Sequence, residues 1–373
     1  MTAAIRPSRL EAFVFRHRVA APVRTSFGVM HERPALLLRI EAADGAHGWG
    51  EVWCNFPACG AEHRARLVET LVAPLLRGVE FASPEAAWRE LSARTEVLAL
   101  QSGEPGPIAQ VIAGVDLALW DLLARRAGQP LWRLLGGQGD RVGVYASGLN
   151  PDAPERMVAR KQGEGHRAFK LKAGFGEACD LDNLRRLREA LPAGAALMID
   201  ANQAWDLATA LRMVERVAPF DLAWLEEPLR ADRPWVEWEL LAARGGVPLA
   251  AGENLYGAAA FEGLLRSAAV RVVQPDVAKW GGISGCLSVI RRVQAAGLRY
   301  CPHYLGAGIG LMHSAHLLAA VGGDGLLEVD ANDNPLRSLL APRIEAIVDG
   351  EVRLGDEPGI GVEPDLRELR SFG

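Results

Sequence analysis

The chain has 373 residues, 49% of them hydrophobic and 23% charged, with a formal net charge of −5. That length exceeds one small core and suits a large barrel with an added domain, in an ordinary soluble globular protein. No basic run or aromatic-laced basic stripe points to nucleic acid, no apolar signal core opens the chain, and no stretch reaches the roughly 18 apolar residues of a membrane span.

Five cysteines (Cys54, Cys59, Cys179, Cys286 and Cys301) are widely spaced and form no C-x-x-C. An odd, scattered set fits free thiols in a reducing, cytoplasmic compartment, with Cys301 as a small buried residue.

Residues 1–133 read as a small α+β domain. Strands are expected at 8–15, 35–42 and 48–53, the second ending in the turn signal Asp44-Gly45. Helical spacing follows over 62–78, a second helix opens at Ser83, and a third covers 108–126, with a loop at 102–107 between them. Two further loops carry groups suited to lining a pocket. Residues 19–30 hold Arg24, Thr25, Ser26 and Phe27; residues 52–60 hold Trp53, Asn55 and Phe56. A loop with two large aromatics must cover something, which favours a lid.

From about residue 134 to 335, short apolar runs alternate with amphipathic helical stretches. Strands are expected at 142–146, 168–172, 196–200, 222–226, 248–253, 270–276, 298–303 and 325–329. Strand–helix alternation argues for a parallel sheet, and eight strands for a closed β/α barrel. An open doubly wound sheet would want a phosphate loop after its first strand, and Ala146-Ser147-Gly148-Leu149-Asn150 is not one. Residues 336–373 follow this repeating unit.

The strand ends carry charges that apolar runs have no packing reason to hold: Lys172, Asp200, Glu226, Glu253, Asp276, His303 and Glu328. They recur roughly 25 residues apart, about one βα unit, which places all of them on the C-terminal face of a barrel. Lys170 and Lys172 share a strand face, and two adjacent cations there require an anionic partner. Asp200, Glu226 and Glu253 come from consecutive strands and repel one another unless a cation intervenes. Oxygen-only donors suit Mg²⁺, or Mn²⁺, better than Zn²⁺. Of the neighbours Glu226 and Glu227, alternation selects Glu226 as inward-facing. Lys172, beside another lysine and a divalent cation, is expected to lose its proton more readily than in water. On the opposite side, Asp276 can orient His303 and raise its basicity. Glu328 is placed to share a hydrogen bond at a developing oxyanion. Two opposed bases about a metal-bound substrate fit abstraction of a proton α to a carboxylate, with a second proton transfer completing the reaction.

Weaker signals remain. His313 and His316 read as core or capping histidines, the 306–310 glycine run as the start of a helix, and Trp205, Trp280 and Tyr304 as residues lining the mouth.

In combination these motifs resemble the enolase superfamily, mandelate racemase subgroup. They are Lys170-Leu-Lys172, Asp200-Ala-Asn202, Glu226-Glu-Pro, Gly-Glu253-Asn, Pro-Asp276 ahead of Lys279-x-Gly-Gly, His303 and Glu328. The resemblance covers nearly the whole chain. It implies a modified (β/α)₈ TIM barrel with an N-terminal α+β capping domain, and a C-terminal segment returning to the cap. That superfamily is known for a Lys or His base with Mg²⁺. The resemblance implies Asp200, Glu226 and Glu253 as metal ligands, Lys172 and the His303–Asp276 pair as acid/bases, and Lys170 and Glu328 as aids to the enolate. Asp276 stands where muconate-lactonising relatives carry lysine, which favours racemases and acid-sugar dehydratases. Cap loops and residues beside the barrel motifs would set the substrate, a small carboxylate; Arg24, Phe27, Trp53, Asn55 and Asn202 are the candidates. A homo-oligomer, dimer or octamer, is also implied. The first reading is dehydration of an acid sugar or other hydroxy acid; racemisation or epimerisation of a 2-hydroxy acid, and a non-catalytic carboxylate-binding barrel, stay open as alternatives.

Overall fold

A computed structural model describes residues 4–371. The N-terminal region forms an antiparallel sheet of β1 (Pro7–Thr25), β2 (Gly28–Ala42) and β3 (His47–Val52), with helices packed against it. β1 and β2 pair along nearly their whole length, with a register shift between Arg18 and Val23, and turn at Ser26 and Phe27. Most of the loop expected at 19–30 is therefore strand. The pairs Val23↔Met30, Arg24↔Val29 and Thr25↔Gly28 extend the ladder to the tip and shrink the loop to its turn.

The Ser83 hydroxyl accepts the Ala86 N–H at 3.2 Å and caps the helix Pro84–Ser102. The next helix, Pro105–Arg126, begins at a proline, where a missing N–H costs nothing. The loop expected at 102–107 thus contracts to Gly103, left-handed at φ 70°, and Glu104. Helix Pro105–Arg126 has a mean hydropathy of 1.5 and is long and apolar enough to cross a membrane, but 89% of its apolar window is buried inside the protein. It packs on β3 and on the helix Gly282–Ala295.

Eight parallel strands follow: β4 (Arg141–Leu149), β5 (Ala168–Lys172), β6 (Ala196–Asp200), β7 (Trp224–Glu226), β8 (Leu249–Ala251), β9 (Val272–Val273), β10 (Arg299–Tyr300) and β11 (Leu326–Asp330). Each pairs with the next from β4 to β10, and β11 returns to pair with β4. Among the described residues no ladder joins β10 to β11, so the barrel is closed except at that seam. A short β12 (Glu351–Arg353) adds antiparallel to β4. Beyond it, the Glu363 carboxylate accepts from Trp49 Nε1 at 3.1 Å and Arg125 Nη1 at 2.8 Å, tying the C-terminal stretch to the N-terminal region.

Alternation along the strands builds the barrel interior. Tyr145, Ala168, Met198, Trp224, Ala250, Val272 and Cys301 pack together as an apolar floor. Two residues further along six of these strands, on the same face, stand Ser147, Lys170, Asp200, Glu226, Gln274 and His303. The apolar floor therefore carries a polar layer at the C-terminal face.

Candidate active site

Register brings the polar layer together. Lys172, Asp200 and Glu226 are directly paired neighbours on β5, β6 and β7. Lys172 Nζ donates to Asp200 Oδ2 at 2.6 Å. Lys170, wholly buried, lies 2.8 and 2.7 Å from the two Glu226 oxygens and 2.7 Å from Glu328 Oε1. Glu226 also accepts from Gln274 Nε2 at 2.6 Å and Trp224 Nε1 at 3.2 Å. Glu328 accepts from the Ser147 hydroxyl at 2.5 Å and from the Tyr304 N–H at 2.9 Å.

Across the mouth, His303 Nδ1 bonds Asp276 Oδ2 at 2.7 Å and Nε2 contacts Glu253. Asp276 is itself clamped: its Oδ1 accepts the N–H groups of Ala278 at 2.8 Å and Lys279 at 3.2 Å. A carboxylate held on one side by backbone donors presents its other oxygen to Nδ1, which leaves Nε2 to face the cavity.

The proton affinities follow from this crowding. Burial pulls the Lys172 ammonium down, but the Asp200 carboxylate overrides it and the pKa stands above the ordinary lysine value. The paired carboxylate outweighs the neighbouring Lys170. Lys170 behaves alike, burial being overcome by Glu226 and Glu328. Burial raises Glu226 to about 7, with Lys170 opposing. For Glu328, burial is outweighed by Lys170 and His303, which bring it to about 2. His303 is lifted well above its ordinary value, burial notwithstanding, by Glu253 and Glu328.

Six carboxylates (Asp200, Glu226, Glu227, Glu253, Asp276 and Glu328) share this mouth with three lysines and one imidazole. All but Glu253 are buried, and its side chain is only 11% exposed. That excess of buried negative charge and all-oxygen donor set fit a hard divalent cation. Among the described residues, however, no three ligating side chains converge on one point. Asp200 is drawn to Lys172, Glu226 to Lys170, and Glu253 to His303. Glu227 is buried as well, at φ 38°, and both its oxygens accept from Asn254 Nδ2 at 2.9 Å. The same amide serves Glu253 Oε1 at 2.8 Å, so Glu227 also stands beside the carboxylate group.

A cleft of about 490 Å³ opens over these groups. Its base includes Lys172, Asn202, Glu253 and His303, and its roof is Phe27, Trp53, Asn55, Phe56 and Pro57 from the N-terminal region. Phe27 stacks edge-on against Phe56 at 5.3 Å and is 61% exposed, as a lid tip would be. Arg24, a substrate candidate, points elsewhere: its guanidinium bonds Asp152 at 3.0 Å on the surface, and Thr25 takes the place in the wall. Strand alternation at the hairpin tip sends Arg24 and Thr25 to opposite faces. Trp205, Trp280 and Tyr304 also lie outside the cleft wall: Trp205 and Tyr304 are core residues and Trp280 packs on Trp88 and Phe261. His313 and His316 are buried in the core, and Cys301 belongs to the barrel floor.

Sequence reasoning gave no role to Lys279, Gln203, Asn254 or Leu305, all of which line the cleft. Lys279 Nζ lies 4.8 Å over the Trp53 ring and 2.8 Å from Asn254 Oδ1, joining lid to barrel. Its signal was its place three residues after Asp276, within the loop that leaves that strand.

Comparison with known proteins settles the family. The model for the mandelate racemase / muconate lactonizing enzyme N-terminal domain matches residues 9–136, and that for the enolase C-terminal domain-like fold matches residues 153–369. The chain belongs to the mandelate racemase/muconate lactonizing enzyme family of the enolase superfamily. Among curated members, D-galactarolactone cycloisomerase of Agrobacterium fabrum is 30% identical over 376 residues, 96% of each chain. Arabinonate dehydratase of Saccharolobus solfataricus is 28% identical over 339 residues, 89% of this chain and 88% of its own. Among solved structures, a mandelate racemase/muconate lactonizing enzyme of Bordetella bronchiseptica RB50 superposes with a TM-score of 0.95 at 61% identity, covering all of both chains. A Streptomyces coelicolor A3(2) racemase with bound magnesium superposes with a TM-score of 0.88 at 30% identity, covering 98% of this chain and 99% of that one.

Proposed function

We propose that this enzyme removes the proton α to the carboxylate of an acid sugar and eliminates a β-hydroxyl group, in a Mg²⁺-dependent reaction. The observation that carries the reading is the pair of candidate bases, Lys172 on β5 and the His303–Asp276 pair beyond β9 and β10, on two sides of a carboxylate-rich cleft. Asp200, Glu226 and Glu253 would hold the Mg²⁺, with Mn²⁺ an alternative, and the cation supplies positive charge that favours the enediolate form of the substrate carboxylate.

One base takes the α proton as the C–H bond breaks. Lys170, fixed as a cation by Glu226 and Glu328, supports charge developing on the carboxylate oxygens. The β C–O bond then breaks, the second group protonates the departing hydroxide, and the enol becomes a 2-keto acid. Asn202, held by its amide on Asp200 at 2.9 Å, and Asn55, bonded to the Leu305 carbonyl, are placed to contact substrate hydroxyls. The aromatic lid excludes water over the reacting carbon.

Cycloisomerisation is the second reading, favoured by the match to D-galactarolactone cycloisomerase along 96% of both chains. It begins with the same proton abstraction but expels a ring oxygen. Racemisation also shares that step and returns a proton to the opposite face. The test is a panel of acid sugars, their lactones and 2-hydroxy acids, incubated with protein and MgCl₂ and followed by NMR and 2-keto-acid detection. A 2-keto acid from an open-chain acid sugar, lost with EDTA and restored by Mg²⁺, is expected. An opened lactone or an inverted centre would replace dehydration with the alternatives, and no change in any compound would favour a non-catalytic barrel.

A further inference from the structure

Two buried carboxylates of the N-terminal domain reach the loops that follow the Asp276 and His303 strands. Glu51, on β3 and 2% exposed, accepts the Ala307 N–H at 2.6 Å and the Gly310 N–H at 2.9 Å. Those amides open the helix Gly308–Val321, which begins five residues beyond His303. The 306–310 glycine run starts a helix, as expected, and its first turn receives a carboxyl group from the protein itself. Asp116, 1% exposed on helix Pro105–Arg126, accepts the Ser284 N–H at 3.0 Å and its hydroxyl at 2.5 Å. Ser284 opens the helix Gly282–Ala295, eight residues beyond Asp276.

Neither contact is filler. A side chain at Gly306 would lie 2.7 Å from Glu51 Oε1, and one at Gly282, φ 56°, would lie 2.2 Å from Asp116 Oδ2. The backbone is kept bare where each carboxylate arrives. Trp53, on the Glu51 side of the same segment, adds its N–H to the Ala278 carbonyl at 3.4 Å. Burying a carboxylate is costly, and a neutral side chain would dock the domains more cheaply. Each carboxyl instead places both of its oxygens on donors in the first turn of a barrel helix.

We propose that Glu51 and Asp116 are positioning residues that set the Asp276–His303 pair, so that these two carboxyl groups act on the base on one face of the substrate and not on Lys172 on the other. The inference rests on the proposed two-base reading. It predicts a face-selective defect, which loss of general stability would not produce.

The experiment follows α-deuterium exchange in ²H₂O, with Mg²⁺ and each member of an α-epimeric pair of acid sugars, for wild type, Glu51→Gln and Asp116→Asn. Glu363→Gln is the control, since it cuts a link to the N-terminal domain without touching either loop. A displacement near 1 Å costs about 100-fold, so exchange on the His303 face should fall by about that factor. Exchange on the Lys172 face should stay within about threefold, and the control should keep both. Ser284→Ala, a milder cut on Asp116, covers the case in which Asp116→Asn does not fold. A readout independent of turnover is the His303 Nδ1–H resonance in ¹⁵N-histidine-labelled protein. It should be present in wild type and Glu363→Gln, and lost or shifted in Glu51→Gln and in Asp116→Asn or Ser284→Ala. Equal loss on both faces, no loss, or an unmoved resonance overturns the proposal. A wild type that exchanges no α proton, with the resonance moving as described, overturns the proposed function and leaves the positioning intact.

Discussion

Replacing Asp276 by asparagine isolates the role of one oxygen. Asp276 Oδ1 accepts two backbone N–H groups, from Ala278 and Lys279, while Oδ2 faces His303 Nδ1 at 2.7 Å. An amide in that place must keep its oxygen toward the two N–H donors, because turning its NH₂ group there sets donor against donor. The NH₂ group then faces Nδ1, which must accept. The imidazole proton moves to Nε2, and Nε2 can no longer take a proton from substrate. A tautomer trapped in this way costs about 10³–10⁴ in rate, or about 4–5.5 kcal/mol at 1.36 kcal/mol per tenfold. Shape and volume are conserved, so stability should change little. The assay is α-deuterium exchange on the His303 face for Asp276→Asn against wild type, with urea unfolding as a fold check. Exchange within tenfold of wild type, in a folded variant, would refute the argument that Asp276 sets the tautomer.

Lys170→Met should leave Glu226 and Glu328 as buried carboxylates without their shared cation and cost about 3–5 kcal/mol in urea unfolding; a loss under 1 kcal/mol would show that the pair is not held as charges. Burial, with Lys161 and Arg337 adding to it, lowers His166 to about 4, and burial next to His313 lowers His316 to about 3. The unfolded chain protonates both near pH 6.5, so between there and about pH 4 it binds more protons than the folded chain, and stability must fall as pH falls. Each should contribute roughly 2–3 kcal/mol of loss between pH 6.5 and 4.5, and His166→Gln should flatten the stability–pH slope by about one proton. An unchanged slope would mean that His166 is not held neutral.

Much of the fold was written in the chain. Eight apolar runs ending in polar residues at nearly even spacing specify parallel strands with one functional face, and β4 to β11 fall where those runs lie. The polar layer was legible for the same reason, since a period of two places Lys170 and Lys172, or Met198 and Asp200, on one side of a strand. Contacts between distant segments were less visible. That Arg24 turns to Asp152 while Thr25 enters the wall depends on the hairpin continuing to its tip, which the residues at 19–30 do not announce. The upward shift of Lys172 depends on a carboxylate 28 residues away at 2.6 Å. Glu51 falls within the strand expected at 48–53, and only docking onto the helix Gly308–Val321 shows why a carboxyl group is buried there.

In the proposed reaction two groups on opposite faces move the α proton. The most direct measurement compares Lys172→Ala and His303→Asn, in ²H₂O with Mg²⁺, for α exchange on each face and for turnover, with calorimetric Mg²⁺ titration alongside. The account predicts that each variant loses turnover, keeps exchange only on the face served by the remaining base, and still binds Mg²⁺. Full turnover in either variant would contradict it.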